Sequence, residues 1–364
     1  MSRRHKARRF AAEEPLGDRL ENPQLETPAV ESLLAECRFT PGRLVGTLTV
    51  GRGQLARQLA ARLPESRVEC LVLDSFQAEL VRGAGELPEN LQVHCAADWS
   101  PQPFDQIFAP LRRRESAELN RDLLQSAFLR LRPGGELFVG VDSPDHPALL
   151  TELRQWNKSV EQAGDRRGRC FRLRKEAELR RVREFSAEVV FRDRDRLLKL
   201  RTRPGVFAHR QLDAGARQIL KGVDAIPGRR VLDIGCGSGV IAVALAARDR
   251  ELEVWAVDSH ARAVEATTWA ANENQLPNLR AVLSHTAEVP GLGTFDLVTA
   301  NPPYFADFEI AERFLDGAVR ALRPEGVCWL VTKLPNWYRE HAGRWLREVE
   351  VWSSGDYHLV RGIR

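Results

Sequence analysis

The chain has 364 residues, 43% of them apolar and 29% charged, with a formal net charge of +4. That length suits two domains of ordinary size with sizeable cores, and no apolar run approaches the roughly 20 residues of a membrane span. The basic start, Met1 to Arg9, leads into Glu13-Glu14-Pro15 and not into an apolar segment, so it does not read as a signal peptide. Six cysteines (Cys37, Cys70, Cys95, Cys170, Cys236, Cys328) are scattered without a close pair. Such spacing argues against a metal site or a disulfide framework and suits a reducing, cytoplasmic compartment.

Residues 1–29 are polar and interrupted by proline, and are expected to form a loosely ordered basic arm. From residue 30 onward the chain is written twice. At a constant offset Gly51 falls on Gly235, Gly53 on Gly237, and Leu73-Asp74-Ser75 on Val257-Asp258-Ser259. After one adjustment Phe104-Asp105 falls on Phe295-Asp296, and the following helices agree position by position, Leu123, Ala127 and Leu131 on Phe314, Ala318 and Leu322. Strands separated by helical segments imply a mostly parallel, doubly wound sheet in each half. The first half, residues 30–150, has Ala109-Pro110-Leu111-Arg112 where the second has Ala300-Asn301-Pro302-Pro303, and its glycine turn lacks a third glycine. It is expected to be a catalytically silent copy, kept for substrate binding or scaffolding, or simply to bury a face of the other half.

Residues 151–200 are expected to be a basic linker. Residues 151–203 hold seventeen Lys and Arg against nine Asp and Glu, which fits contacts to phosphate and equally a solvated face. Phe185 to Phe191 alternates like a strand, with Leu197 to Arg201 able to pair with it. The second copy, residues 201–364, carries the chemistry. Val231-Leu232-Asp233-Ile234 reads as a strand running into Gly235-Cys236-Gly237-Ser238-Gly239, where glycines let backbone N–H groups approach a ligand ahead of a helix. Downstream, the strand Phe295 to Ala300 must leave its sheet at Asn301-Pro302-Pro303-Tyr304, because two prolines cannot continue the ladder. A carboxamide, a main-chain carbonyl and an aromatic ring are thereby placed at the carboxyl end of a strand, the edge where open α/β sheets bind ligands.

In this order and spacing the two motifs resemble those of class I methyltransferases that use S-adenosylmethionine to modify an amino nitrogen. The resemblance implies two tandem Rossmann-like class I methyltransferase folds, the first degenerate. It assigns Gly235, Gly237 and Gly239 to the cofactor turn, and Asp258 to the ribose hydroxyls or, alternatively, to a helix cap. Asp233 would face the cofactor's amino-acid end or orient the turn, and Thr286 would lie beside the adenine. His285 reads as a surface histidine and not a catalytic base. Arg203-Pro204-Gly205-Val206-Phe207 followed by Leu212-Asp213-Ala214-Gly215 is further similar to a segment of the bacterial ribosomal RNA guanine-N2 methyltransferases, the family of small-subunit methyltransferase C and large-subunit methyltransferase G. By that likeness Phe207 and Asp213 help close the cofactor pocket, while Asn301, Pro302 and Tyr304 hold the guanine amine. The expected partner is ribosomal RNA or a ribosomal subunit, without metal or membrane. This chain has Tyr304-Phe305 where the family commonly has Phe then His. Competing expectations are methylation of a release-factor glutamine amide, methylation of adenine N6, and a non-catalytic RNA-binding assembly factor.

Overall fold

The computed structural model describes residues 27–36, 43–49, 51–111, 116–223, 228–303 and 308–364. Nearly all of the expected basic arm, and Tyr304, lie outside the described residues. Two seven-stranded sheets share one strand order. The first comprises β1 (Leu44–Leu48), β2 (Arg67–Val72), β3 (Leu91–Cys95), β4 (Phe104–Leu111), β5 (Leu131–Val141), β6 (Glu161–Gly164) and β7 (Arg169–Arg174), arranged β3-β2-β1-β4-β5-β7-β6. A two-stranded antiparallel ribbon follows, β8 (Ala187–Asp193) with β9 (Arg196–Thr202). The second sheet comprises β10 (Arg230–Ile234), β11 (Glu253–Asp258), β12 (Leu279–Leu283), β13 (Phe295–Ala300), β14 (Leu322–Thr332), β15 (Arg347–Ser354) and β16 (Tyr357–Ile363), arranged β12-β11-β10-β13-β14-β16-β15. In each sheet five strands are parallel, the next in order (β7 or β16) runs antiparallel to them, and the edge strand (β6 or β15) pairs antiparallel with that one.

The parallel strands are nearly continuous apolar runs because helices cover both faces. Around the second sheet, α6 (Ala214–Gly222), α7 (Val240–Arg248) and α8 (Ala261–Glu273) bury Ile219, Val243 and Ala270 on one face. On the other face α9 (Phe308–Ala321) and α10 (Pro335–His341) bury Leu315, Ala318 and Tyr338. The first sheet repeats the plan, with α1 (Pro28–Glu36), α2 (Gln54–Arg62) and α3 (Ser75–Gly83) opposite α4 (Ala117–Arg130) and α5 (Pro147–Trp156).

The structure departs from the sequence-based expectations in two places. The first sheet runs to Arg174, past residue 150, because β6 and β7 cover the edge that β5 would otherwise expose. Their arginines disguised them as linker: Arg172 is paired with Glu136 at 2.5 Å and Glu161 at 2.8 Å, while Cys170, Phe171 and Leu173 are buried.

The register of the repeat also differs. Leu44 pairs with Arg67 and its N–H donates to Asp105, as Arg230 pairs with Glu253 and donates to Asp296. These equivalences shift the sequence alignment by two residues, so that Gly51 and Gly53 match Gly237 and Gly239, and Asp74 matches His260. Both Gly53 and Gly239 are left-handed residues heading a helix, and Asp74 and His260 each head the next one. Thr49 therefore stands in the place of Gly235, and Val72, only 2% exposed, in the place of Asp258. Gln77 Nε2 also donates to the Gly51 carbonyl, and Gln54 Oε1 accepts from Arg52 N–H at 3.0 Å. Side chains of the first copy thus close over its own turn.

The copies meet about a pseudo-two-fold axis. Asp74 and His260 form an isolated antiparallel bridge. Ser75 N–H donates to Ser259 O at 2.8 Å and Ala261 N–H to Leu73 O at 2.7 Å, bonds that interchange when one copy is mapped onto the other. Such self-complementary pairing is the geometry of a two-fold dimer interface, here within one chain.

Candidate active site

Strand register builds the site. Ile234 lies opposite Ala300 across β10 and β13, so Gly235 and Asn301 leave the sheet at the same level. Between these strands the order reverses, β11 and β12 lying to one side and β14 to the other. That is the crevice an open α/β sheet offers to ligands.

The three turn glycines have φ of 72°, 54° and 85°, a region costly for side chains. A Cβ on Gly235 would meet Phe314 at 2.9 Å, and one on Gly239 would meet Thr267 at 2.9 Å. Gly237 differs: among the described residues, its added Cβ would find within 4 Å only the Cβ of Phe207. Its backbone faces open space beneath a half-exposed aromatic ring. Asp258 Oδ2 accepts the Gly237 N–H at 2.9 Å, and Oδ1 accepts the His260 N–H at 2.8 Å. The carboxylate therefore ties the turn to the end of β11. His260, not Asp258, precedes the first residue of α8.

Asn301 Nδ2 donates to Asp213 Oδ2 at 2.6 Å, and the same oxygen caps α6 by accepting from Ala216 N–H at 2.5 Å. An ionised carboxylate only accepts hydrogen bonds, so this contact turns the carboxamide nitrogen toward Asp213 and its oxygen the opposite way. Pro302 and Pro303 then line a small pocket with Phe308, Ala311, Leu334 and Tyr338, and Phe308 stacks on Trp337 at 5.2 Å. Sequence reasoning missed Phe308, Leu334 and Trp337. Their only signal is proximity to the ends of β13 and β14, which needs the strand order.

Thr286 lies beyond β12 in a turn organised by Ser284, whose Oγ accepts from the N–H groups of Thr286 at 3.3 Å and Glu288 at 3.1 Å. His285 is partly exposed and faces the first copy. Its Nε2 is 2.8 Å from Glu79 and its ring 5.6 Å from Phe76, both in the first copy.

Burial pushes the carboxyl groups of Asp213, Asp233 and Asp258 up from their ordinary values. Burial thus disfavours the charged form of each. Asp233 is the extreme case, 1% exposed, with Oδ1 accepting from Thr299 Oγ1 at 2.8 Å and the backbone N–H of Ala242 also directed at its carboxyl. Its pKa rises from 3.8 to about 7. Between those values the native state holds the proton more tightly than the unfolded chain, so stability falls as pH rises through that window. At ~1.4 kcal/mol per unit the loss is a few kcal/mol. His260 acts in the opposite sense: burial, with Arg262 beside it, pushes its pKa down from 6.5 to about 4, so stability rises with pH across that interval. Unfolding of the ligand-free Asp233→Asn protein should show a larger gain over wild type at pH 8 than at pH 5. An equal difference at both would show that Asp233 does not titrate in this range.

Among the described residues there is no group of three His, Cys, Asp or Glu side chains placed to hold a metal ion, and no helix long and apolar enough to cross a membrane. The fold and the paired motifs define a duplicated class I methyltransferase, and the Methyltransferase small domain family matches residues 197–361. The chain is 30% identical over 244 residues to the ribosomal RNA small subunit methyltransferase C of Pseudomonas aeruginosa, covering 63% of this chain and 71% of that one. It belongs to that family. The Hahella chejuensis small subunit methyltransferase C is 33% identical, covering 45% of this chain and 50% of that one, and the Aeromonas salmonicida large subunit methyltransferase G is 29% identical, covering 43% of each. The match to these two relatives thus spans about half of their length or less. Among solved structures, the T. thermophilus 16S rRNA N2 methyltransferase in complex with AdoMet and guanosine superposes with a TM-score of 0.75 at 22% identity, covering 93% of this chain and 92% of that one.

Proposed function

We propose that the second copy transfers a methyl group from S-adenosylmethionine to the N2 amine of an rRNA guanine. The observation that carries this reading is the placement of Asn301, oriented by Asp213, level with the glycine turn across β10 and β13. The relatives named for rRNA methylation, and the similar fold solved with AdoMet and guanosine, support it.

The crevice fits the cofactor in shape and charge. Gly237 offers an open backbone, Phe207 an apolar cover, and Asp258 a carboxylate with capacity for ribose hydroxyl donors. Asp233, bonded to Thr299 on the neighbouring strand, is assigned to the positively charged amino-acid end, and Thr286 to the adenine. When bound, the cofactor supplies an electrophilic methyl group on a sulfonium. The protein's own work is positioning, because the guanine amine has its lone pair delocalised into the ring. Asn301 Oδ1 and the Pro302 carbonyl accept the two N–H groups and turn the nitrogen toward the methyl. As that nitrogen gains positive charge the two acceptors bind it more strongly, which lowers the barrier selectively, and the proton made acidic by the transfer is then lost from nitrogen to solvent, so no base is needed beforehand. Tyr304 is assigned by its motif to stack on the base, a contact worth roughly 1–3 kcal/mol. A paired guanine cannot enter this crevice, so the target must be unpaired or flipped out.

Methyl transfer from tritiated S-adenosylmethionine should label ribosomal RNA from a strain lacking this protein, with the label recovered as N2-methylguanosine. Label as N6-methyladenosine, or in release factor, would overturn the substrate. Absence of both label and cofactor binding would leave an assembly factor. Asp213→Ser keeps an oxygen for the helix cap but is too short to hold Asn301. Its kcat should fall about tenfold, the weight of one lost positioning hydrogen bond; unchanged turnover would remove Asp213 from the mechanism.

A further inference from the structure

The segment between β9 and α6 crosses the front of the cofactor crevice, carrying Phe207 over Gly237. It is an uncomfortable stretch of backbone. Ala208 has φ of 56° and Arg210 of 68°, left-handed values that persist only where surrounding contacts impose them. Those contacts come largely from the first copy. Arg262, 0% exposed and four residues past Asp258, donates to Pro204 O at 2.7 Å, pairs with Asp122 at 2.6 Å and donates to Ala97 O at 3.0 Å. Arg203 is 3.3 Å from the same Asp122 oxygen and 3.2 Å from Asp98, with Glu265 at 3.7 Å. Further along, Arg210 pairs with Glu118 at 2.5 Å. At Gly205, with φ of 96°, an added Cβ would lie 3.3 Å from His260 and 3.4 Å from Leu119 of the first copy.

The pseudo-two-fold relation shows that this arrangement is not imposed by the duplication alone. Mapping each copy onto the other converts the Asp122–Arg262 pair into Arg313 and Phe76, where the guanidinium lies over the ring at 5.4 Å. Packing alone is satisfied on that side by a cation and an aromatic ring. Among the described residues, the buried pair of Asp122 with Arg262 stands beside the 203–210 segment, and the equivalent positions of the other side hold no ion pair with each other. Such a pair is costly to desolvate and contributes little net stability, but it fixes geometry and punishes the loss of either partner.

We infer that Asp122, in the copy that lacks the Asn-Pro-Pro-Tyr motif, is a positioning residue for the cofactor of the other copy, acting through Arg262 and Arg203 to hold Phe207 over the glycine turn. The silent copy is thereby part of the cofactor site. This inference rests on the cofactor placement proposed above.

Calorimetric titration of the full-length protein with S-adenosylmethionine tests it, alongside amide hydrogen exchange. Asp122→Asn should weaken cofactor binding about tenfold, within the usual range of coupling between sites. Amide exchange over residues 203–210 should accelerate while β10 and β13 stay protected, and kcat at saturating cofactor should stay near wild type. Asp122→Glu, which keeps the charge, should recover part of the affinity. A folded Asp122→Asn protein with wild-type affinity overturns the inference, even if its thermal stability has dropped. Should Asp122→Asn fail to fold, Asp98→Asn with Glu118→Gln removes two partly exposed anchors of the same segment, and unchanged affinity there overturns it equally. Wild-type protein that binds no cofactor would instead overturn the placement on which the inference rests.

Discussion

Asn301→Ala should lower kcat by roughly 10²–10³, the usual cost of removing one group that binds developing charge, while S-adenosylmethionine affinity changes little. The expectation follows from where Asn301 sits. Its side chain leaves the sheet at the end of β13, level with Gly235, and donates to Asp213. Asn301→Asp sharpens the test. A carboxylate has no N–H to offer Asp213, and two acidic groups at 2.6 Å would repel. The acceptor oxygen would survive in kind but not in place, so the Asp variant should lose most of the activity too. Single-turnover methyl transfer to ribosomal RNA, with cofactor binding measured in parallel, separates chemistry from binding. Normal single-turnover rates in either variant would end the claim that this carboxamide steers the amine.

Asp258→Ala should act on the other side of the reaction, weakening cofactor binding by roughly 10²–10⁴ if two charge-assisted hydrogen bonds to ribose are lost. Part of that loss is architectural, because Asp258 Oδ2 also accepts the Gly237 N–H and Oδ1 the His260 N–H. Asp258→Asn helps to apportion the two. It keeps one acceptor but turns an N–H toward a backbone N–H or a hydroxyl, and should fall between wild type and Ala. Equilibrium binding of S-adenosylmethionine gives the answer without any RNA. Unchanged affinity in Asp258→Ala would reduce Asp258 to a brace for the turn. The first copy carries its own control: Val72 occupies the equivalent position, 2% exposed, so that copy should bind no cofactor.

Most of what is local in this protein is legible from the order of its residues. The alternation of strands and helices, the duplication, the glycine turn, the abrupt end of β13 at Asn301 and the placement of Asp258 at the end of β11 are all written in short stretches whose backbone requirements are strict. A double proline ends a ladder wherever it occurs, and a glycine that must adopt positive φ announces itself. Features that depend on register and on distant partners emerge only once the chain is folded. Two glycines spaced by one residue fit either end of a three-glycine run, so the alignment is fixed only by the pairing of Leu44 with Arg67 and of Arg230 with Glu253. β6 and β7 are hidden by arginines whose charges are cancelled across strands by Glu136 and Glu161. The Asp213–Asn301 bond, the Phe308–Trp337 stack and the Asp122–Arg262 pair join residues 88, 29 and 140 positions apart in the chain. No composition or period marks such pairs. They exist because a twisted sheet brings the carboxyl ends of its strands to one edge, and because a duplicated chain can fold one copy against that edge of the other.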